Sequence, residues 1–291
     1  MAQSAYRRLY VLSSRTWRDR AVKGVTFALL SLFAGIVVGV PVGWVVLTAF
    51  KERLQIFAWP PVYWPNPIRW QNFAEVLQKI PFMRFAANSL FLSVTNIIGR
   101  LFSCSIVGYS FARLRFPGRN ALFMLLLSTL MLPGQVTLIP TFVVFQRLGW
   151  VGTYLPLIVP AFFGHAFFIF LMRQYIMTIP SDLDEAARID GASTWSVFAR
   201  VILPLCTPPM VLITVLTFLG TWNDFMGPLL YLSEYDSYTI QLGLNMLRGR
   251  FNIQWNLIMA GSLMAMLPCV LIFFLTQKYL IGGIAGVGIK G

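Results

Sequence analysis

Six apolar segments constrain the fold of this chain more than any other feature of its sequence. A helix needs about 20 apolar residues to cross a lipid bilayer, and each segment reaches that length. Backbone N–H and C=O groups inside a bilayer must hydrogen-bond within their own segment, so such runs fold as helices. We therefore predict an all-α integral membrane protein with six transmembrane helices, at residues 25–50, 87–111, 120–145, 154–177, 205–231 and 257–281.

The composition agrees with this prediction. Only 11% of the 291 residues are charged, whereas a soluble domain carries about 25%. The net charge of +13 would suggest nucleic-acid binding in a soluble protein, but no basic stripe with interleaved aromatics lies outside the spans. The three cysteines form no CxxC pair and no cluster with the single histidine. Neither a metal site nor a disulfide framework is predicted.

Lys and Arg residues predict the orientation of the chain. Cytoplasmic flanks of membrane spans carry an excess of these residues, and several precede the first apolar segment. The excess predicts that both termini are cytoplasmic. The expected organisation is a cytoplasmic N-terminal segment 1–24, a six-span domain 25–281 with a cytoplasmic loop 178–204, and a cytoplasmic tail 282–291. The first apolar segment exceeds the about 7–15 residues of a signal-peptide core.

The loop 178–204 has the pattern of two short helices joined at a glycine. Ser181 and Asp184 fit a capping box, and acidic residues in a first helical turn suit the helix dipole. Gly191 favours a helix stop, because glycine adopts left-handed backbone angles at little cost. A second helix is expected from Ser193 to Leu203.

The first helix of this loop is acidic at its beginning and small on one face. Ala186, Ala187 and Ile189 give that face little bulk, so that another surface can approach closely. The residues alone leave two interpretations open. The helix is either a docking surface or a plain capped connector between membrane spans.

The loop resembles the EAA loop of ATP-binding-cassette importer permeases. The matching residues are Glu185, Ala186 and Ala187, then Gly191, then the run 201–204. Val201 stands where that family usually has Ile. In that family the loop forms a coupling helix that docks in a groove on the ATPase subunit.

The resemblance extends along most of the chain. The segment Asn88-Ser89-Leu90 and the run 108–118 are similar to the second span and first inner loop of sugar permeases. Similar stretches are 131–150, the TWNDF run 221–225 and the tail 286–291. Together they resemble the smaller, six-span, maltose-type permease subunit of carbohydrate importers for di- and oligosaccharides and glycerol derivatives.

The resemblance implies roles for particular residues. In the loop, the ATPase-coupling residues would be Glu185, Ala186, Ala187, Asp190, Gly191, Leu203 and Pro204. The tail would contact the ATPases through Gly288, Lys290 and Gly291. It also implies partners: a second homologous permease, two ATP-binding-cassette ATPases and an extracytoplasmic sugar-binding protein. The location would be a bacterial or archaeal plasma membrane.

The chain lacks the means to use ATP by itself. A P-loop needs Gly-Lys before Ser or Thr, and the dipeptide Gly-Lys is absent from the sequence. No nucleophile-elbow pattern or other catalytic set is present. We therefore expect a transport subunit that is not an enzyme and has no cofactor of its own, with ATP and magnesium bound by the partner ATPase.

Charged and polar residues inside the spans mark a possible substrate path. Charges at membrane depth face a bundle interior or a watery cavity. Arg100 and Asp224 either pair with each other, line the path, or lie near an interface. His165 is either a gate or sugar contact, or is bonded to a neighbouring helix. Trp222 and Asn223 with Asp224 form either a sugar-binding patch or a kink and subunit contact.

Two other functions remain open from the sequence. A proton-coupled secondary transporter would use Asp224, His165 and Arg100 as its proton relay. A membrane-embedded enzyme or assembly scaffold would carry no substrate flux. The loop 178–204 has no use in a secondary transporter, so its contacts discriminate between these functions.

Overall fold

The computed structural model describes residues 2–249 and 253–285, with side chains over 19–249 and 253–278. These residues form helices and connecting segments, without a β-strand in the described ranges. In chain order the α-helices are α1 (Ala2–Ala49), α2 (Arg53–Ile56), α3 (Gln71–Lys79), α4 (Phe82–Arg113), α5 (Arg119–Ser128), α6 (Gly134–Arg147), α7 (Leu155–Ile158), α8 (Ala166–Thr178), α9 (Asp182–Ile189), α10 (Thr194–Ser196), α11 (Leu203–Leu205), α12 (Thr207–Trp222), α13 (Met226–Tyr231), α14 (Ile240–Met246) and α15 (Trp255–Ala285).

Four helical stretches of the described residues are long and apolar enough to cross a membrane. They are Asp19–Ala49, Phe82–Arg113, Leu155–Thr178 and Trp255–Lys278. Two bent pairs raise the number to six if each pair is one span: Arg119–Met131 with Gly134–Arg147, bent by 100°, and Thr194–Leu205 with Thr207–Trp222, bent by 75°. The predicted all-α membrane fold is confirmed, but three of the predicted spans are not single straight helices.

The third predicted span, 120–145, is broken at a proline. A 3₁₀ turn at Thr129–Met131 ends on Leu132, whose backbone is extended at φ −81° and ψ 116°. The ring of Pro133 clashes with a helical residue before it, which forces this extended conformation. Helix α6 then begins at Gly134 in a new direction.

The fourth and fifth predicted spans are interrupted near their functional residues. In the fourth, 154–177, a 3₁₀ segment ends at Gly164, which has a φ of +90°, and His165 is extended before α8. In the fifth, 205–231, α12 ends at Trp222 and a separate α13 follows. Each break lies at residues that favour a kink in the sequence, Gly164 in the fourth span and the Trp222–Asp224 run in the fifth, but the predicted spans are continuous helices across them.

The chain divides into two compact units. One contains 1–72 with 255–263, and the other contains 73–254 with 264–291. In the first unit the buried Asn72 amide donates to the carbonyls of Ala49 (2.8 Å) and Lys51 (2.9 Å) and accepts from Asn256 (2.9 Å). The Lys51 ammonium lies 4.6 Å from the centre of the Trp44 ring, and burial lowers the pKa of Lys51.

The core of the second unit forms where α4 packs on α8, with residues of the loop between α8 and α12 beneath them. The buried residues are Cys104, Tyr109, Phe168, Ile169, Met172, Ile176, Val197, Phe198, Ile202, Cys206 and Ile213. The backbones of α4 and α8 come close together at Gly108. A Cβ atom there would lie 2.7 Å from the Met172 Cβ and 3.3 Å from the Arg173 amide nitrogen. Small residues of this kind allow membrane helices to pack closely.

We expect the substitution Gly108→Ala to destabilise the protein by about 1–3 kcal/mol, because the added methyl group overpacks a tight core. Gly134→Ala is the matched control, since a Cβ there meets nothing within 4 Å. Thermal unfolding in detergent, followed by tryptophan fluorescence, should show a lower Tm for the first variant only. Equal melting temperatures would show that the two helices separate readily at Gly108.

Candidate functional site

Helix α9 begins without the predicted side-chain cap. Ser181 precedes the helix, but its hydroxyl makes no capping hydrogen bond, so the predicted capping box is wrong. The acidic first turn of Asp182, Asp184 and Glu185 is present. Ser181 has helical backbone angles, φ −68° and ψ −22°, whereas a capping residue is normally extended, and Asp184 turns inward toward another helix.

Asp184 forms a buried ion pair with the end of α4. Its Oδ2 lies 2.9 Å from Nε of Arg113, and the two side chains are only 7% and 12% exposed. Neither carboxylate oxygen accepts an aligned hydrogen bond from the described residues, so the contact is a charge pair. The same guanidinium donates from Nη2 to the Ile179 carbonyl (2.6 Å). Arg113 therefore holds both the beginning of α9 and the chain that leads into it.

The end of α9 is fixed by a Schellman turn. Gly191 has a φ of +82°, and its amide donates to the Arg188 carbonyl at 3.0 Å. The Ala192 amide donates to the Ala187 carbonyl at 2.9 Å. This pair of bonds satisfies carbonyls that a helix end leaves unpaired. The structure thus places Asp190 as the last residue before the turn and Gly191 in it.

The outer face of α9 is exposed to solvent. Glu185 and Ala186 are exposed, and Ile189 is 87% exposed. Ala187 lies on the opposite side and packs against the core of the second unit. The exposed face of α9 therefore combines the apolar side chain of Ile189 with the carboxylate of Glu185 one helical turn before it.

The segment after Gly191 is one continuous helical stretch that contains a π-helix. Ser193 caps it by accepting from the Ser196 amide (3.2 Å), and residues Val197–Ile202 form a π-helix. Leu203 is partly buried against the core, whereas Pro204 is exposed. This helix ends at Leu205, two residues beyond its predicted end at Leu203, and the bend into α12 falls at Cys206.

A second feature of the same unit is a polar cavity of about 470 Å³. It lies where α4, the interrupted fourth span and the break after α12 meet. Its polar lining comes from Asn96, Arg100, His165, Thr221, Asp224 and Tyr231. The sequence analysis pointed to Arg100, His165 and Asp224; the structure brings these three to one cavity.

Asp224 is held by the backbone that follows it. Its Oδ1 accepts from the Gly227 amide at 3.1 Å, one of the first amides of α13. A Cβ atom on Gly227 would lie 2.5 Å from the Asp224 Oδ2 and 3.0 Å from Leu157. Glycine at 227 is therefore what allows the carboxylate to sit against the beginning of α13.

His165 is at the break of the fourth span and is exposed. Its ring lies 4.8 Å from the Phe168 ring, centroid to centroid. The imidazole has no hydrogen bond to any described residue, so it is not bonded to a neighbouring helix within this chain. Its nitrogens are available to a molecule in the cavity.

Trp222 and Asn223 do not join Asp224 at this cavity. Trp222 is buried, stacks on Phe218 and donates its Nε1 hydrogen to the Ala265 carbonyl (3.0 Å). Asn223 donates to the Leu219 carbonyl and accepts from Gln241. Successive residues at a helix end point about 100° apart, so three neighbours in sequence face three directions.

Sequence analysis missed the neutral polar residues of the cavity. Asn96 is buried in α4 and donates both amide hydrogens, to the carbonyls of Leu92 and Leu157, each at 2.9 Å. An amide inside a long apolar helix was the available signal. The predicted tail contacts Gly288, Lys290 and Gly291 lie outside the described residues, and their role stays a prediction.

Comparison with known proteins decides the family. Residues 105–285, which include α9 and the cavity residues His165 and Asp224, match the family described as binding-protein-dependent transport system inner membrane component. The chain belongs to this family. The resemblance seen in the sequence to permeases of ATP-binding-cassette importers is confirmed.

Several curated relatives are similar over most of their length. The arabinooligosaccharides transport system permease protein AraQ of Halalkalibacterium halodurans is 32% identical over 79% of this chain and 82% of its own. The probable ABC transporter permease protein YurM of Bacillus subtilis is 32% identical over 95% and 91%. The sn-glycerol-3-phosphate transport system permease protein UgpE of Pectobacterium atrosepticum is 32% identical over 90% and 92%.

Solved structures show the same fold. A chain of a bacterial ABC transporter involved in the import of the acidic polysaccharide alginate superposes with a TM-score of 0.79. The match covers 90% of this permease and 97% of that chain at 23% identity. The fold of a multi-pass membrane permease is therefore established for this chain.

Proposed function

We propose that this permease is one subunit of an ATP-driven importer that moves a sugar or glycerol derivative across the plasma membrane. The observation that carries the proposal is the mounting of α9. The helix is tied to α4 by Asp184 and ends in the turn at Gly191, whereas Glu185, Ala186 and Ile189 are exposed and would face a partner. A helix that packs against its own subunit on one side and is exposed on the other is suited to transmit movement from an ATPase.

The same arrangement implies how the movement spreads. Asp184 ties α9 to α4, and the helical stretch after Gly191 leads directly into α12. A displacement of α9 therefore acts on two helices whose residues line the cavity, Asn96 and Arg100 from α4 and Thr221 from α12. Alternating access of that cavity would follow from the movement of these helices.

The proposed assembly contains the partners implied by the sequence. A second homologous permease completes the pathway, and two ATPases bind ATP and magnesium below the membrane. An extracytoplasmic binding protein delivers the substrate. Both termini of this chain and the loop 178–204 are on the cytoplasmic side in this proposal, which follows the distribution of Lys and Arg.

The nature of the substrate is supported by the relatives and by the cavity. Relatives at about one-third identity are permeases for arabinooligosaccharides and for sn-glycerol 3-phosphate. The cavity offers an amide oxygen, a hydroxyl, an imidazole and two charged groups. Groups of this kind hydrogen-bond the hydroxyls of a sugar or of glycerol.

The proposal predicts that Glu185→Lys and Ile189→Asp each release the ATPase. Both changes alter only the outer face of α9, so the permease should fold normally. Co-purification of the ATPase with the permease, and ATP-dependent uptake in proteoliposomes, should both be lost. We expect at least about a tenfold loss of ATPase retention, which corresponds to 1.4 kcal/mol.

Glu234→Lys is the control for this experiment, because Glu234 is exposed on the other large loop, 232–256. It makes the same change of charge but should leave the ATPase bound. Retention of the ATPase by both α9 variants would contradict the role of α9. Loss of the ATPase with all three variants would indicate a general effect of charge.

A proton-coupled secondary transporter is the second candidate. It is favoured by one observation, that Arg100, His165 and Asp224 line the same cavity. This candidate predicts uptake by the permease alone, driven by a pH gradient and abolished by Asp224→Asn. Uptake that needs ATP and the ATPase, and ignores the gradient, would eliminate it.

A further inference from the structure

The guanidinium of Arg100 lines the cavity without a counter-ion from the described part of the chain. It lies over the Phe168 ring, 5.4 Å from the ring centre. No carboxylate of the described residues comes within 4 Å of it, and no hydrogen bond to them satisfies its five N–H donors. Arginine keeps its charge in proteins, so a permanent cation faces this space.

Asp224, the acidic residue of the cavity, is already satisfied locally. Its carboxylate accepts from the Gly227 amide at the beginning of α13, where the helix dipole favours a negative charge. The two charges are therefore not arranged as a pair. The cavity thus contains a carboxylate that accepts from a backbone amide and a guanidinium that has no carboxylate partner among the described residues.

An uncompensated arginine at membrane depth is costly and is normally paired or functional. Other arginines of the second unit contact a carboxylate or a backbone carbonyl. Arg113 contacts Asp184 and the Ile179 carbonyl, and Arg84 contacts Asp236 at 2.6 Å. Arg173 donates to the Phe111 carbonyl. Among the residues with described side chains, Arg100 contacts the Phe168 ring and no hydrogen-bond acceptor, so its N–H donors remain available.

The neutral groups around Arg100 indicate what else a ligand would carry. Both amide hydrogens of Asn96 are committed to backbone carbonyls, so this side chain offers the cavity only its oxygen, which accepts from a hydroxyl. Thr221 adds a hydroxyl, and His165 adds an unbonded imidazole. The set suits a molecule that has hydroxyl groups together with an anionic group.

We propose that this cavity binds an anionic group of the transported molecule, a carboxylate or a phosphate on a sugar or glycerol skeleton, with Arg100 as the anion-binding residue. Arginine binds both groups through two parallel N–H···O bonds. The inference rests on the proposed transport function, and narrows its substrate class from carbohydrates in general to acidic ones.

The test uses the assembled permease–ATPase complex in detergent, without the binding protein. Four probes are compared by calorimetry: a trisaccharide of galacturonate, the neutral trisaccharide of galactose, sn-glycerol 3-phosphate and glycerol. The galacturonate trisaccharide and sn-glycerol 3-phosphate are both anionic, but the first carries carboxylates and the second a phosphate. We expect at least one anionic probe to bind about tenfold or more tightly than its neutral counterpart, as a hydrogen bond to a charged group does.

Variants assign this preference to Arg100. Arg100→Gln should bring the anionic probe down to the affinity of its neutral counterpart, and Arg100→Lys should keep a preference of at least a few fold. Arg147→Gln removes the same charge from an exposed position at the end of α6, outside the cavity lining. It should leave all affinities unchanged.

Three outcomes would overturn the inference. Equal affinities for charged and neutral probes would do so, and so would an Arg100→Gln complex that still prefers the anionic probe. Dissociation of the second permease from Arg100→Gln, with Arg100→Lys intact, would show that Arg100 instead pairs with a partner subunit. In each of these cases, ATP-driven uptake of a neutral sugar by the wild-type complex would still support the proposed transport function. The experiments therefore distinguish a failure of the anion-binding inference from a failure of the transport proposal.

Discussion

Uptake is expected to be abolished by the substitution Gly191→Pro, with loss of the ATPase from the purified complex. Gly191 has a φ of +82° and its amide donates to the Arg188 carbonyl. Proline holds φ near −65° and has no amide hydrogen. The Schellman turn therefore cannot form, and the direction of α9 is no longer fixed. Strain of about 1–3 kcal/mol is enough to shift the helix out of its docking position in most molecules.

Two control variants make this result specific. Gly191→Asn should retain activity, because asparagine tolerates left-handed angles better than other non-glycine residues. Gly149→Pro introduces the same two faults at another turn, where φ is +69° and the amide donates to the Gln146 carbonyl. It should keep the ATPase bound. Uptake at wild-type level by Gly191→Pro would contradict the coupling role of α9.

Asp184→Asn is expected to have the largest effect on stability. The change leaves the Arg113 guanidinium buried without its counter-charge. Breaking a buried ion pair in this way costs about 3–5 kcal/mol. Thermal unfolding of the detergent-purified protein should show a clear drop in Tm, and the ATPase should dissociate because the beginning of α9 is released from α4.

The exposed ion pair Arg84–Asp236 provides the matched control. Its side chains are 54% and 63% exposed, and exposed pairs contribute about 0–1 kcal/mol. Asp236→Asn should therefore change the Tm little. The double variant Arg113→Met with Asp184→Leu should recover stability, because apolar replacement of a buried pair is often neutral or better. Equal small effects of Asp184→Asn and Asp236→Asn would show that the buried pair does not hold α9.

The membrane helices were predictable because length and apolar composition determine them. Each predicted span contains helical residues. Most differences between the predicted spans and the observed helices come from the breaks within the spans. The break at Pro133 had a visible signal, since proline constrains the residue before it. The breaks at Gly164 and after Trp222 had weaker signals. They depend on a glycine with positive φ and on the bond from Gly227 to Asp224.

The loop 178–204 shows where local sequence patterns mislead. Ser181 and Asp184 have the spacing of a capping box, but Asp184 pairs with Arg113 from a helix far away in sequence. A local pattern contains no information on such a competitor. The role of Gly191, unlike that of Asp184, depends only on local structure, because the turn itself requires a left-handed conformation at this position. The glycine stop was therefore readable from the sequence, and the role of Asp184 was not.

The cavity was only partly accessible from the sequence. Arg100, His165 and Asp224 stand out because charged and titratable residues are rare in membrane helices. That they share one cavity depends on how three helical segments pack, and sequence spacing does not report it. The grouping of Trp222 and Asn223 with Asp224 relied on adjacency in sequence, which at a helix end points side chains in different directions.

The residues that anchor α9 and those that face outward are different residues. Asp184, Ala187 and Gly191 anchor the helix, whereas Glu185, Ala186 and Ile189 make no contact that the fold requires. The three outward-facing residues can therefore be changed without changing the fold. A library of variants at these positions would select for binding to other ATPases. Replacing the three residues by those of another permease should allow this permease to bind that permease's ATPase.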